Sequence, residues 1–118
     1  LHKKELIKMG CGFNPYFVKC GRYDQIIDQV MKEKFNGRNI DLFVLDVEGY
    51  EINVLEGMKN SAYLPHVFCI EYPMIGLDNL KNKLYDMGYL FDTVHECGRF
   101  VLGTQEFNSH NAFFVKKG

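Results

Sequence analysis

Ile40-Asp41-Leu42-Phe43-Val44-Leu45-Asp46-Val47 limits the possible folds of this chain more than any other segment. A nearly continuous apolar run of this length is the pattern of a strand covered on both faces within a parallel sheet. It runs into Glu48-Gly49, and then Ile52, Leu55 and Met58 recur at helical spacing. The segment therefore reads as strand, turn and helix, the repeating unit of an α/β layer.

The flanking sequence carries the same alternation. Tyr16 to Cys20 is a short apolar run and is predicted to be a strand. Asp24 suits a helix start, with Ile26, Ile27, Val30, Met31 and Phe35 following at helical spacing and Asn36-Gly37 closing the helix. Val67 to Tyr72 reads as a second buried strand stopped by Pro73. Asp78 opens a further helix with Leu80, Leu84 and Met87 facing inward and Gly88 as its stop. Tyr89 to His95 and Asn111 to Val115 read as two final strands. No helical pattern separates these two, so one of them is expected to run antiparallel. The fold class expected is α/β, a single domain over residues 1–118 with a mainly parallel sheet.

Composition excludes several functions. Fourteen basic residues balance fifteen acidic ones, and the net charge of −1 offers no field to attract nucleic acid. No stretch approaches the roughly 18 to 20 continuous apolar residues of a membrane span. Cys11, Cys20, Cys69 and Cys97 form no CxxC pair and so no zinc pattern. Cys20 and Cys69 sit in apolar runs and read as core thiols of an intracellular, cytoplasmic protein.

Ligands of open α/β sheets bind beyond the carboxyl ends of the strands. Two such ends here are acidic, Asp46-Val47-Glu48-Gly49-Tyr50-Glu51 and Glu71-Tyr72-Pro73. Asp46 and Glu48 share one face if the strand persists through them. Carboxylates on one rim can hold a divalent metal, act as a general base, or bind an ammonium or sulfonium group. A strand-terminal acid inside an apolar run is costly without a partner, which favours a role for Asp46. Glu51 reads as a solvated first-turn residue, and Gly49 as a turn requirement. His66, His95 and His110 read as surface or satisfied histidines.

The eighteen residues 40–57 resemble the signature of FkbM-type methyltransferases, IDLxKxDxEGxExxVLxG. Around them, Arg22-Tyr23-Asp24-Gln25-Ile26-Ile27 is similar to the helix start that precedes the signature. Val67 to Glu71 is similar to the following strand ending in glutamate, and Leu84 to Tyr89 to a later helix, glycine and aromatic. Val44 stands where the family often has lysine, which removes any role that lysine would play.

This resemblance implies transfer of a methyl group from S-adenosylmethionine to a hydroxyl of a small molecule or glycan. It implies a partial Rossmann-like class I sheet, strands four to seven with a last antiparallel strand, lacking the cofactor-binding amino-terminal half. Asp46 would lie near the donor, Asp46, Glu48 and Glu71 would be the catalytic acids, and Tyr50 and Tyr72 would line the acceptor pocket. No metal is assigned. Met9-Gly10-Cys11-Gly12 follows no expected strand and is not read as a cofactor loop.

Two other readings compete. Phe43-Val44-Leu45-Asp46-Val47-Glu48 is similar to the first acidic motif of DEDD-type metal-dependent exonucleases, but Val115 stands where the second motif requires aspartate. The second rival is a non-catalytic half-domain acting in binding or assembly. Its exposed sheet edge would need a partner to cover it.

Overall fold

In the computed structural model, two helices precede the first strand: α1 (His2–Lys8) and α2 (Tyr23–Lys34). They are followed by β1 (Leu42–Leu45), α3 (Glu51–Met58), β2 (Val67–Glu71), α4 (Leu77–Asp86), β3 (Tyr89–Leu102) and β4 (Gln105–Lys116). The structure describes residues 2–102 and 105–118, with side chains at 4–96 and 110–118. The Cys97 side chain lies outside these.

The strands form one open sheet in the order β1-β2-β4-β3. β1 and β2 pair in parallel, Leu42 opposite Val67 and Leu45 opposite Ile70. β4 is antiparallel to both its neighbours, β2 and β3. The direct β3–β4 connection has no helix to carry the chain back across the sheet, and it forms a long hairpin.

One face of the sheet carries the core. Phe43 and Leu45 on β1, Phe68 and Ile70 on β2, and Ala112 and Phe114 on β4 alternate toward it, as period-two side chains must. α3 adds Leu55 and Met58 to this layer, α4 adds Leu80 and Leu84, and the Tyr89 ring fills the space beside Phe68 at 4.8 Å. Each fully buried aliphatic or aromatic side chain contributes about 1.5–3 kcal/mol. Tyr89 donates its hydroxyl to the Pro65 carbonyl, and burial pushes its pKa up to about 12. α2 is tied to the loop before β2 by Tyr23, whose hydroxyl donates to the Tyr63 carbonyl at 2.8 Å, and by a Ser61–Asp28 hydrogen bond.

The opposite face departs from expectation. The run at 40–47 is covered on one side only: Leu42 is 53% and Val44 62% exposed. Leu42, Val67, Val115 and Leu90 form one row across this face in register, and Val44, Cys69, Phe113 and Thr93 form the next. The core residues of α3 and α4, and Tyr23 of α2, pack against the other face, and Leu42, Val44, Leu90 and Val115 on this one are exposed. Among the described residues β1 is also a sheet edge, with one strand neighbour instead of two.

Tyr16–Cys20 is a second correction: it is not a strand, and Tyr16, Phe17 and Val18 are exposed. Its five residues have the composition of a strand, but no strand pairs with them, and a ladder is what would hold them extended. Cys20 is correspondingly exposed and not a core thiol, while Cys69 is half-buried. The helix expected from Asp24 starts at Tyr23, with Asp24 in its first turn and ion-paired to Arg22 at 2.8 Å. Of its periodic apolar residues only Met31 is buried.

Candidate functional site

The parallel register sets Leu45 beside Ile70, and the residues that follow, Asp46 just past the end of β1 and Glu71 at the end of β2, come together. The register alone explains their meeting. Glu48 reaches the same place by a different route. β1 ends at Leu45, so strand alternation does not carry Glu48 to the Asp46 face as the sequence suggested. The chain instead turns through Glu48 at φ 54° and Gly49 at φ 95°. The left-handed conformation costs a non-glycine residue about 1–2 kcal/mol. Gly49 adopts it without that penalty, and a Cβ there would stand 3.2 Å from the Met74 Cε.

One carboxylate oxygen from each of Asp46, Glu48 and Glu71 lies within 4.8 Å of the others. Asp46 and Glu48 are exposed and Glu71 is half-buried. A hydrogen bond with the Asp46 carboxyl, partial burial, and the charges of Asp46, Glu48 and Glu51 push the Glu71 pKa up to about 7. Two adjacent carboxyls sharing a proton in this way are a common device for holding an acid–base group near neutrality.

Glu51 is the residue that sequence reasoning missed. It is 1% exposed, at the first position of α3, and not solvated. Its Oε1 accepts hydrogen bonds from the backbone N–H groups of Val47 at 3.1 Å and Gly49 at 3.3 Å. The side chain thus reaches back under the turn that carries Glu48 and clamps it. Its Oε2 is buried without a hydrogen-bond partner, a cost of about 1–3 kcal/mol. The signal available in the sequence was a carboxylate two residues after a turn glycine at a helix start, where free backbone N–H groups await an acceptor.

The two tyrosines are not brought together. Tyr50 is exposed and lines a groove of about 400 Å³ with Tyr23, Asn53 and Gly57 on the α2–α3 side. Tyr72 is half-buried and packs edge-on against the His110 ring at 6.1 Å. Of the histidines, His66 and His95 are exposed, and His110 lies 3.5 Å from the Glu96 carboxylate. Neither of two surface grooves, the other of about 450 Å³ beside Glu56 and Lys59, includes the three acids. The acids instead form an open rim at the end of the uncovered sheet face.

An acidic rim can bind a cationic group or take up a proton. The segment Gly10-Cys11-Gly12 follows a helix and not a strand. Gly10 at φ 79° and the bonds from Gly10 N to Ile7 O and Cys11 N to Leu6 O make this run the stop of α1. Among the described residues no helix is long and apolar enough to cross a membrane.

The methyltransferase FkbM domain model matches residues 25–99, which include β1, the turn, α3, β2 and α4. No curated protein sequence matches the chain.

Proposed function

Because the chain belongs to the FkbM methyltransferase family, we propose that it supplies the acceptor side of an S-adenosylmethionine-dependent methyltransferase acting on a hydroxyl. The observation that carries this reading is the convergence of Asp46, Glu48 and Glu71 at the carboxyl ends of two parallel strands. S-adenosylmethionine brings a methyl group that is already strongly electrophilic. What remains for the protein is to hold an acceptor oxygen in line and to take up its proton.

In this reading Asp46 faces the cationic part of the donor. Glu71 accepts the hydroxyl proton, a role that its elevated pKa supports, because a base near neutrality is both available and strong enough at physiological pH. Glu48 orients the acceptor hydroxyl from the exposed side of the rim. Tyr72, the residue after Glu71, is the tyrosine this reading assigns to the acceptor, while Tyr50 lies in a separate groove on the α2–α3 side. The open four-stranded sheet is compatible with a partial methyltransferase fold, and this reading assigns the adenosine of the donor to none of the described residues.

Calorimetric titration of the chain with S-adenosylmethionine tests that division of labour. The expected result is weak binding or none, since the described residues contain no glycine-rich turn after a strand that could hold the adenosine. Saturable micromolar binding would overturn the half-domain reading.

A binding or assembly role is the second reading, favoured by the uncovered apolar rows on Leu42, Val44, Val115 and Leu90 and by the unpaired edge of β1. Exposed patches of this kind mark interaction surfaces or aggregation liabilities.

A further inference from the structure

We propose that Glu51 is a positioning residue of the acidic rim, a buried clamp that fixes where the Glu48 carboxylate stands relative to Glu71. Val47 to Tyr50 form a four-residue turn, closed by the Tyr50 N–H donating to the Val47 carbonyl at 3.3 Å. Both central residues have positive φ, Glu48 at 54° and Gly49 at 95°. This is the pattern of a type I′ turn, whose central positions favour glycine, asparagine and aspartate. Glycine suits the second of them, but glutamate at the first works against the turn. Strained backbone of this kind persists only where its surroundings hold it.

Glu51 supplies that hold. It is 1% exposed, and its Oε1 accepts from the Val47 N–H at 3.1 Å and the Gly49 N–H at 3.3 Å. The two donors flank Glu48, so one oxygen pins the backbone on both sides of it. A first-turn carboxylate ordinarily serves the free N–H groups of its own helix. Both donors here precede α3, whose N-cap is Tyr50, so these bonds shape the turn and not the helix. The side chain is held there at a cost, because its Oε2 is buried without a hydrogen-bond partner. Glu51 thus reaches Glu71 by two routes, through the turn that places Glu48 and through its own charge. The Glu71 pKa is pushed up to about 7 by its hydrogen bond with Asp46, by burial, and by the charges of Asp46, Glu48 and Glu51. The consequence for catalysis rests on the methyl-transfer reading, in which Glu71 takes the proton and Glu48 orients the acceptor.

Two substitutions separate the clamp from the charge. Glu51→Gln removes the charge but keeps an oxygen that can accept from both N–H groups. Glu51→Met is close in volume and removes charge and acceptor together. Amide hydrogen exchange at Val47 and Gly49 and the carboxyl ¹³C titration of Glu71 are followed by NMR in the whole chain. In the wild type both amides should exchange at least about tenfold more slowly than in an unstructured peptide, and Glu51→Gln should keep that protection. Glu51→Met should lose it while the amides of Phe68 and Ile70 in β2 stay protected, which separates a released turn from an unfolded chain. The Glu71 midpoint should fall in Glu51→Gln. It should fall by about a further half pH unit in Glu51→Met, because only there does the Glu48 charge move away. Coincident Glu71 midpoints in the two variants would overturn the positioning role. Rapid exchange at Val47 and Gly49 in the wild type or in Glu51→Gln overturns the clamp, whether or not Glu51→Met folds. Neither readout requires methyl transfer, so absence of transfer in the wild-type protein would count against that reading alone.

Discussion

Replacing Glu71 with glutamine should make the protein more stable at high pH and leave it nearly unchanged at low pH. In the folded state the Glu71 pKa rises from its ordinary 4.5 to about 7, chiefly through the hydrogen bond with Asp46 and then through burial and neighbouring charge. Folding therefore binds the Glu71 proton more tightly than the unfolded chain does. For a pKa raised on folding, the stability contribution is complete below about pH 4.5 and is lost as pH climbs through about 7. The full difference corresponds to a ceiling of about 3 kcal/mol at about 1.4 kcal/mol per tenfold change in proton affinity. Water reaches this half-buried rim group, and screening reduces the effect to about 1 kcal/mol. Glutamine keeps the shape and a hydrogen-bonding amide but cannot ionise. Thermal melts in chelator-containing buffer at pH 5 and pH 8 read the effect. The melting temperature of Glu71→Gln minus that of the wild type should increase by about 4 °C between the two. A difference independent of pH, or one that falls with rising pH, would refute the coupling of Glu71 to Asp46, Glu48 and Glu51.

Other perturbations test separate parts of the structure. Leu55→Ala empties a fully buried position of α3 and should cost about 2–5 kcal/mol in chemical denaturation. Gly49→Ala forces a side chain into φ 95°. It should cost about 1–3 kcal/mol and shift the amide resonances of Val47 and Glu48, whereas unchanged spectra would contradict the turn geometry. Val44→Lys and Val115→Lys charge the uncovered face at two exposed positions. In sedimentation runs the wild-type chain should self-associate, and the double variant should run closer to a monomer.

The comparison of sequence with structure separates local from non-local information. β2 was legible because Val67 to Glu71 is buried-type and bounded by Pro73, and α4 because Gly88 at φ 93° ends it as a stop glycine should. The three acids were legible as rim residues because strand ends can be read from where apolar runs stop. How they meet was not. Asp46 and Glu71 meet through the pairing register of β1 with β2, and Glu48 through a left-handed turn, neither of which the local pattern fixes. Tyr16–Cys20 failed for the same reason: strand composition without a neighbouring strand gives no ladder. Glu51 was misread because a first-turn carboxylate on a helix is usually solvated, and only the three-dimensional turn shows that its oxygen lies over two free backbone N–H groups. The burial of one face of β1 and the exposure of the other depend on what packs above the sheet, which an apolar run cannot reveal by itself.

The central claim is that the acids Asp46, Glu48 and Glu71 serve methyl transfer to a hydroxyl. It is tested most directly by incubating the protein, isolated from its source with any partner it carries, with methyl-labelled S-adenosylmethionine and a panel of sugars and small alcohols. The account predicts label in an alkali-stable ether of at least one acceptor, with the rate lowered at least a hundredfold by Glu71→Gln. Label found on nitrogen, or transfer that proceeds undiminished in Glu71→Gln, would contradict it.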